Sequence, residues 1–404
     1  MRHGSLSVAF ASGRTERFGD GSGEALAIRF LDRGAERALL IDPALKLGEL
    51  YADGRLRLEQ GELYELICLF KRVARDAAPL FGAAVHGLRY AASYGRQRLS
   101  PAASLRNVAH HYNLDERLYR LFLDRDLQYS CAYFEEPGQS LERAQLAKQR
   151  HVTAKLLVEP GQRVLDIGSG WGGLALYLAE AAGAEVTGIT LSAPQLTLAR
   201  ARAEERGLAS RARFELCDYR ALSGRFDRIV SVGMFEHVGL RSYDDFFRSV
   251  ARLLDPRGVC VLHAIGRTRP RPAPSPFIEK YVFPGSYIPA LSEVLPACER
   301  AGFLVTDVEV LPLHYALTLR EWRRRFLARR DEVLALYDER FLRLWEFYLA
   351  ASESGFRMDR MFVFQLQLTR PQHVVPNRRD YIAHREALLR ERERALPAYA
   401  SLPP

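Results

Sequence analysis

The stretch Arg163-Val164-Leu165-Asp166-Ile167-Gly168-Ser169-Gly170-Trp171-Gly172-Gly173 decides the reading of this chain. Val164, Leu165 and Ile167 spell a short buried strand, and 174–182 carries a helical pattern, so the glycines occupy a strand-turn-helix corner. Glycine suits that corner because the backbone turns sharply and meets a ligand with no side chain between. The helix that follows offers unpaired N–H groups. The spacing is Asp-x-Gly-x-Gly-x-Gly, through Asp166, Gly168, Gly170 and Gly172, whereas the dinucleotide fingerprint is Gly-x-Gly-x-x-Gly. The corner therefore points to S-adenosylmethionine rather than NAD.

Outward from this corner, strands and helices alternate as a doubly wound sheet requires. Strands are expected at 164–167, 185–190, 213–217, 229–232 and 259–264, with helices between. Two more are expected at 303–311 and 361–368, the last from strict alternation that puts Phe362, Phe364, Leu366 and Leu368 on one side. After the second strand, Thr190 and Gln195 stand where an acid commonly holds a ribose, and Ser192 is placed to cap the next helix. Asp218 and Tyr219 follow the third strand at the ligand-binding edge, where Asp218 either meets an adenine amine or caps a turn. Glu236 and His263 fall at the carboxyl ends of adjacent strands, two ionisable groups converging on the glycine turn.

With 404 residues the chain exceeds the usual single-core size, so two domains are expected. We place a small N-terminal α+β domain, a candidate lipid- or partner-binding part, at 1–100 and a catalytic domain with helical additions at 105–404. The first carries strands at 6–10, 26–30 and 38–41 and a helix at 62–74; 95–104 reads as a linker. Next comes a helix capped by Asn113 or Asp115, an aromatic loop at 129–134 expected to pack on the core, and a helix at 141–158 capped by Ser140. Residues 267–276 form an exposed Arg/Pro-rich loop. A long amphipathic helix or helix pair is expected at 319–348, and a solvated charged helix at 385–395.

The five cysteines never fall as Cys-x-x-Cys, which argues against a zinc site or a disulfide framework; no metal is expected. A net charge of +9 points to an anionic partner, nucleic acid or lipid, and no nucleic-acid motif supports the former. Arg320, Arg323, Arg324, Arg325, Arg329 and Arg330 would each add about 1 kcal/mol against an anionic leaflet. No apolar run approaches the ~18 residues of a membrane span, and 1–11 shows no secretory pattern. A cytoplasmic protein, peripherally associated with a membrane, is expected.

Taken together, Tyr-Ser-Cys-Ala-Tyr-Phe at 129–134, the 166–173 turn, Gly-Ile-Thr-Leu-Ser at 188–192, Phe-Glu-His-Val-Gly at 235–239 and Phe-Pro-Gly-Ser-Tyr at 283–287 resemble the cyclopropane-fatty-acyl-phospholipid synthases and the related mycolic acid cyclopropane synthases. The resemblance spans about 110–370, with a weaker echo at 47–54. It implies a class I S-adenosylmethionine-dependent methyltransferase, Rossmann-like with a seven-stranded sheet, a small N-terminal domain and helical additions. It further implies that Tyr129, Ser130, Gly168, Gly170, Thr190, Gln195, Tyr219 and Arg220 hold the cofactor. Cys131, Glu236, His263, Tyr315 and the Ile265 backbone would hold bicarbonate. The substrate implied is an unsaturated phospholipid at an anionic membrane surface; a homodimer is left open. One departure stands out: Ser352 occupies the place of a family cysteine before Gly355-Phe356-Arg357.

The implied chemistry suits these residues. An alkene is a weak nucleophile, so holding it against a sulfonium methyl in a dry slot supplies most of the assistance, up to roughly 7–11 kcal/mol. Aromatic faces stabilise the resulting carbocation by about 2 kcal/mol each, and Tyr133, Phe134, Phe235 and Tyr287 are candidates. The alternatives are a methyl-branched or methylene product, a small-molecule N- or O-methyltransferase like the plant alkaloid enzymes that share the resemblance, and a silent lipid-binding protein.

Overall fold

The computed structural model describes residues 4–76, 114–270 and 275–400. The expected linker at 95–104, the candidate cap Asn113 and residues 271–274 of the Arg/Pro-rich loop lie outside them. The chain divides into two compact units. The first takes its described residues from Met1–Arg96, Pro272–Pro284 and Leu319–Met361, the second from Gln97–Arg271, Gly285–Thr318 and Phe362–Pro404.

In the first unit β1 (Ser5–Ala9), β2 (Thr15–Phe18), β3 (Ala25–Phe30) and β4 (Leu56–Gln60) form a sheet in the order β2-β1-β3-β4. The strand expected at 38–41 is instead the end of a helix, Arg33–Ile41, whose N-cap Asp32 accepts from the Ala35 N–H. A four-residue apolar run has no periodicity of its own, and the cap upstream decided the outcome. The 47–54 echo lies mostly in the helix Pro43–Ala52, where a Cβ on Gly48 would collide with Phe277 and sit 2.7 Å from Phe347. Next to it the buried Glu49 gathers Lys46 and Lys280, each at 2.6 Å, and the Tyr281 hydroxyl at 2.8 Å. The 319–348 stretch is three helices, not one or two: His314–Ala328, Arg330–Leu336 and Glu339–Met358. Its arginines are largely paired: Arg324 and Arg325 on Glu321, Arg330 on Glu339, and Arg323, only 13% exposed, beside Glu353. This is less of an open cationic stripe than the linear sequence implies.

The second unit holds β5 (Arg163–Ile167), β6 (Glu185–Thr190), β7 (Ala212–Leu216), β8 (Phe226–Val232), β9 (Leu254–Arg267) and β10 (Leu304–Leu311), with β11 (Met361–Thr369) completing a mixed sheet. The strand order is β10-β11-β9-β8-β5-β6-β7. β5 pairs in parallel with both β6 and β8, so the order reverses at β5 and opens a crevice beyond its carboxyl end. Consecutive residues feed opposite cores, Val164 joining Val186, Val230 and Val261 while Leu165 joins Ile229, Leu262 and Phe364. β11 runs antiparallel to β10 and is interior, between β10 and β9. Its second face is therefore buried as well, and that face carries Gln365 and Gln367.

Helix Leu141–Leu156 is buried along nearly its whole length although it carries Lys148, Arg150, His151 and Lys155. Arg150 meets Glu393 at 2.9 Å and Glu135 at 3.1 Å; His151 lies 2.6 Å from both Glu309 and Glu386; Lys155 pairs with Asp307 at 2.9 Å and with Glu309. Glu386 and Glu393 belong to the helix Tyr381–Ala395, which buries Ile382 and Leu389. The tail expected to be solvated is thus docked, because its glutamates answer buried cations that no short-range pattern connects to it.

Two stability predictions follow from this packing. Removing one partner of a buried pair costs about 3–5 kcal/mol, so Glu393→Ala lowers the urea midpoint clearly and Glu393→Gln by less; an unchanged midpoint for Glu393→Ala would contradict the account. Gly48→Ala overpacks the helix against Phe277 and Phe347 and lowers stability by about 1–3 kcal/mol in the same assay.

Candidate active site

The glycine corner at the end of β5 is held open by its backbone. Gly168 and Gly170 have φ of +83° and +55°, and the Gly168 and Ser169 N–H groups both donate to the Ile189 carbonyl at 2.9 and 3.0 Å. A Cβ on Gly168 would lie 2.7 Å from the Met234 Cβ, whereas at Gly170 it would meet nothing within 4 Å. The turn thus leaves a ligand-sized approach beside Gly170.

It floors a cleft of about 1120 Å³, counting the part open to solvent. Asp166, Gly168 and Gly170 form the floor, with Tyr129 and Ser130 on one wall and Thr190 and Gln195 on another. Asp218, Tyr219 and Arg220 complete the lining. Gly172 is not part of it. It caps the helix Gly173–Glu180 with φ +84°, and a Cβ there would sit 2.8 Å from Phe214. Gln128, Trp171, Met234 and His237 also line the cleft and were not singled out from sequence. His237 adjoins a recognised glutamate, but only the tight turn Phe235–His237 decides which way it faces.

The polar lining is internally ordered. Thr190 Oγ1 donates to Gln195 Oε1 at 2.7 Å, and Ser192 caps its helix by accepting from the Gln195 N–H. Asp218 takes the turn-capping option, accepting from the Arg220 N–H at 2.9 Å and from its guanidinium at 2.6 Å. Burial raises its carboxyl, and that pairing outweighs burial to hold it below the ordinary range. Burial pushes Asp166 up to about 7, with the Lys148 charge opposing. His237 is driven down to about 4 by burial and is neutral.

A second group of polar atoms adjoins the cleft without lining it. Cys131 follows Ser130; its thiol donates to the Ala132 carbonyl at 3.2 Å and is pushed up by burial, so it stays protonated. Glu236 stands between the lining residues Met234 and His237. Its Oε1 accepts from the Ile265 N–H at 2.6 Å, and burial lifts the carboxyl to about 7. That bond brings the carboxyl to β9, two residues along from His263. The His263 Nδ1 faces the Gln365 amide nitrogen at 3.2 Å. An amide N–H donates, so we assign the ring proton to Nε2. Burial, reinforced by Lys148 and Lys155, drives this imidazole well below its ordinary value and keeps it neutral. Glu236 Oε2 and His263 Nε2 are buried with no hydrogen-bond partner among the described residues. The pair leaves one acceptor and one donor unmatched.

Tyr315, half-buried, is the second residue of the helix His314–Ala328. His314 accepts from the Phe134 N–H at 3.0 Å, and Thr318 from the Ala132 N–H at 3.1 Å, which ties the start of this helix to the Cys131 loop. Ser352, half-buried, belongs to the first unit, on the helix Glu339–Met358. Of the aromatic candidates, Tyr133 stacks on His151 and on His314 at 4.4 and 5.1 Å. Phe235 stacks on Tyr243 at 4.3 Å in the core, and Tyr287 is core as well.

A family model described as mycolic acid cyclopropane synthetase matches residues 99–366. The cyclopropane-fatty-acyl-phospholipid synthase of Escherichia coli is 37% identical over 338 residues, 83% of this chain and 85% of that protein. The tuberculostearic acid methyltransferase UfaA1 of Mycobacterium tuberculosis is 39% identical over 278 residues, 66% of this chain and 65% of its own. Among solved structures, mycolic acid cyclopropane synthase CmaA1 complexed with SAH and CTAB superposes with a TM-score of 0.63 at 34% identity, covering 67% of this chain and 99% of that one. Coclaurine N-methyltransferase, at 20% identity and a TM-score of 0.65, shares the fold. Glycine corner, cleft and relatives agree: the chain belongs to the mycolic acid cyclopropane synthetase family and is an S-adenosylmethionine-dependent methyltransferase.

Proposed function

We propose that this enzyme adds a methylene group to the cis double bond of an unsaturated phospholipid acyl chain, closing a cyclopropane ring, with bound bicarbonate as the proton acceptor. The observation that carries the reading is the pair of unpartnered atoms, Glu236 Oε2 and His263 Nε2, buried beside the cofactor cleft. Bicarbonate accepts at one oxygen and donates at another, which matches one free donor and one free acceptor. Leaving both unmet would cost about 1–3 kcal/mol each. In this reading Gly168 and Gly170 let the donor approach the backbone, while Ser130, Thr190 and Gln195 orient it. S-adenosylmethionine supplies the electrophilic methyl. That methyl carbon bonds to one alkene carbon as the sulfonium bond breaks; it then loses a proton and bonds to the other. Glu236 and His263 hold the proton acceptor, assisted by Cys131 and Tyr315, and a dry surround keeps water from quenching the cation. Ser352 we assign to positioning or packing.

The second reading is a methylene or methyl-branched acyl product, favoured by the 39% identity with the tuberculostearic acid methyltransferase. A methylene branch and a ring have the same mass, so the products are told apart by proton NMR of the recovered acyl chain after incubation with labelled cofactor. Shielded ring protons are expected. Vinylic methylene signals favour the second reading, and no label in lipid rejects both.

Peripheral membrane association is supported by the charge of +9 and by Leu40 and Ile41, 83% and 76% exposed at the end of a helix. Among the described residues no helix is long and apolar enough to cross a membrane. Co-sedimentation with anionic liposomes is expected for the wild type and reduced for Leu40→Ser/Ile41→Ser; equal sedimentation removes that support.

Glu236→Gln is expected to lose turnover by about 10²–10⁴-fold while still binding S-adenosylhomocysteine in calorimetry; near-normal turnover rejects the anion-pocket assignment. The same substitution carries a pH signature. Because the folded carboxyl titrates at about 7 against 4.5 when exposed, Glu236 costs nothing at low pH and destabilises the fold as pH rises towards and through 7. The thermal stability of Glu236→Gln relative to wild type therefore rises between about pH 5 and pH 8, by about 3 kcal/mol.

A further inference from the structure

Helix Leu141–Leu156 carries two fully buried lysines seven residues, hence two turns, apart on one face. They are treated differently. Lys155 is neutralised by Asp307 and Glu309. Lys148 has no carboxylate in contact among the described residues: its Nζ donates to two neutral oxygens, Gln128 Oε1 at 2.5 Å and Ser130 Oγ at 2.8 Å. Burying an ammonium with no carboxylate in contact is costly, so a fold that keeps one gains something from it elsewhere.

Its two acceptors show where. Gln128 and Ser130 both line the cofactor cleft. Gln145, one turn before Lys148, donates to the Gln128 and Ser130 carbonyls at 3.2 and 2.9 Å, so a single helix face holds this wall by main chain and side chain together. With its Oγ accepting from Lys148, Ser130 keeps its own O–H free to donate elsewhere.

We propose that Lys148 is a positioning residue: its ammonium orients Gln128 and Ser130 along the cleft and supplies the unneutralised positive charge that attracts the carboxylate end of S-adenosylmethionine and, beside Cys131 and His263, the small anion. The second half rests on the anion-pocket reading given above; the first does not. The groups that feel this charge are Asp124, Asp126, Asp166 and Cys131, and its field also helps hold His263 neutral. Burial lowers the ammonium to about 8, against the pull of Asp124, Cys131 and Asp166. The charge is therefore present at neutral pH and fades as pH rises through 8.

The test uses the full-length enzyme with Lys148→Met and Lys148→Arg, checked for folding by circular dichroism. Lys148→Met is expected to weaken S-adenosylhomocysteine binding by about tenfold in calorimetry, to raise the KM for bicarbonate, and to lack the fall in kcat/KM above about pH 8 that is expected of the wild type. Lys148→Arg keeps its charge and carries the alkaline limb to higher pH. A folded Lys148→Met with wild-type affinity, KM values and pH profile overturns the proposal. Should Lys148→Met not fold, Lys148→Arg decides instead: a folded Lys148→Arg with wild-type S-adenosylhomocysteine affinity, KM values and pH profile overturns it. If wild-type turnover does not depend on bicarbonate, the anion-pocket reading fails while the affinity arm still decides the role of Lys148.

Discussion

The second unit depends on one constraint: a helix buried along most of its length while carrying four buried basic side chains must have each of them answered. Leu141–Leu156 meets it in four directions. Arg150 reaches the C-terminal helix and the Glu135 loop; His151 and Lys155 reach β10, and His151 the C-terminal helix again; Lys148 reaches the cofactor wall. In the interior a missing partner costs several kcal/mol, far more than the same pair is worth at the surface. The charges therefore act as fixed joints. They anchor the tail of the chain, the edge of the sheet and the cleft to one element.

The same dryness shapes the site. Glu236 and Asp166 are both raised to about 7, and His263 and His237 are held neutral, because burial disfavours charge and few partners offset it. In the proposed reaction a cationic donor and a carbocation gain from walls that neither solvate the charge elsewhere nor offer a side-chain nucleophile. Cys131, the most reactive side chain by type, is disarmed by burial and kept as a thiol that donates to its neighbour's carbonyl. Among the buried atoms left without a hydrogen-bond partner in the described residues are His263 Nε2 and Glu236 Oε2.

Much of this was legible in the linear chain wherever a local rule applies. β5 and the middle of β9 are apolar runs, the corner needs left-handed glycines, and Asp115 and Ser192 announce helix starts. Local rules failed where the answer came from afar. The run at 38–41 was read without its upstream cap, and the tail was read as solvated because Glu386 and Glu393 look like any surface glutamates until His151 and Arg150 are found beneath them. The stacking of Tyr133 on two imidazoles from distant elements was likewise not legible in the linear chain.

Sequence by itself determined the strand-turn-helix corner and the class of ligand that the glycine spacing admits, since these depend on backbone conformations and spacings within a few residues; the family was legible only as a resemblance carried by several motifs together. Only the tertiary structure decided which polar atoms end up paired. Gln365 arrives from an interior strand about a hundred residues away to take His263 Nδ1, Ile265 takes one oxygen of Glu236, and the other ring nitrogen and oxygen have no hydrogen-bond partner among the described residues. Whether a buried polar atom is satisfied is set by whatever the fold packs against it, and no local pattern encodes that neighbour.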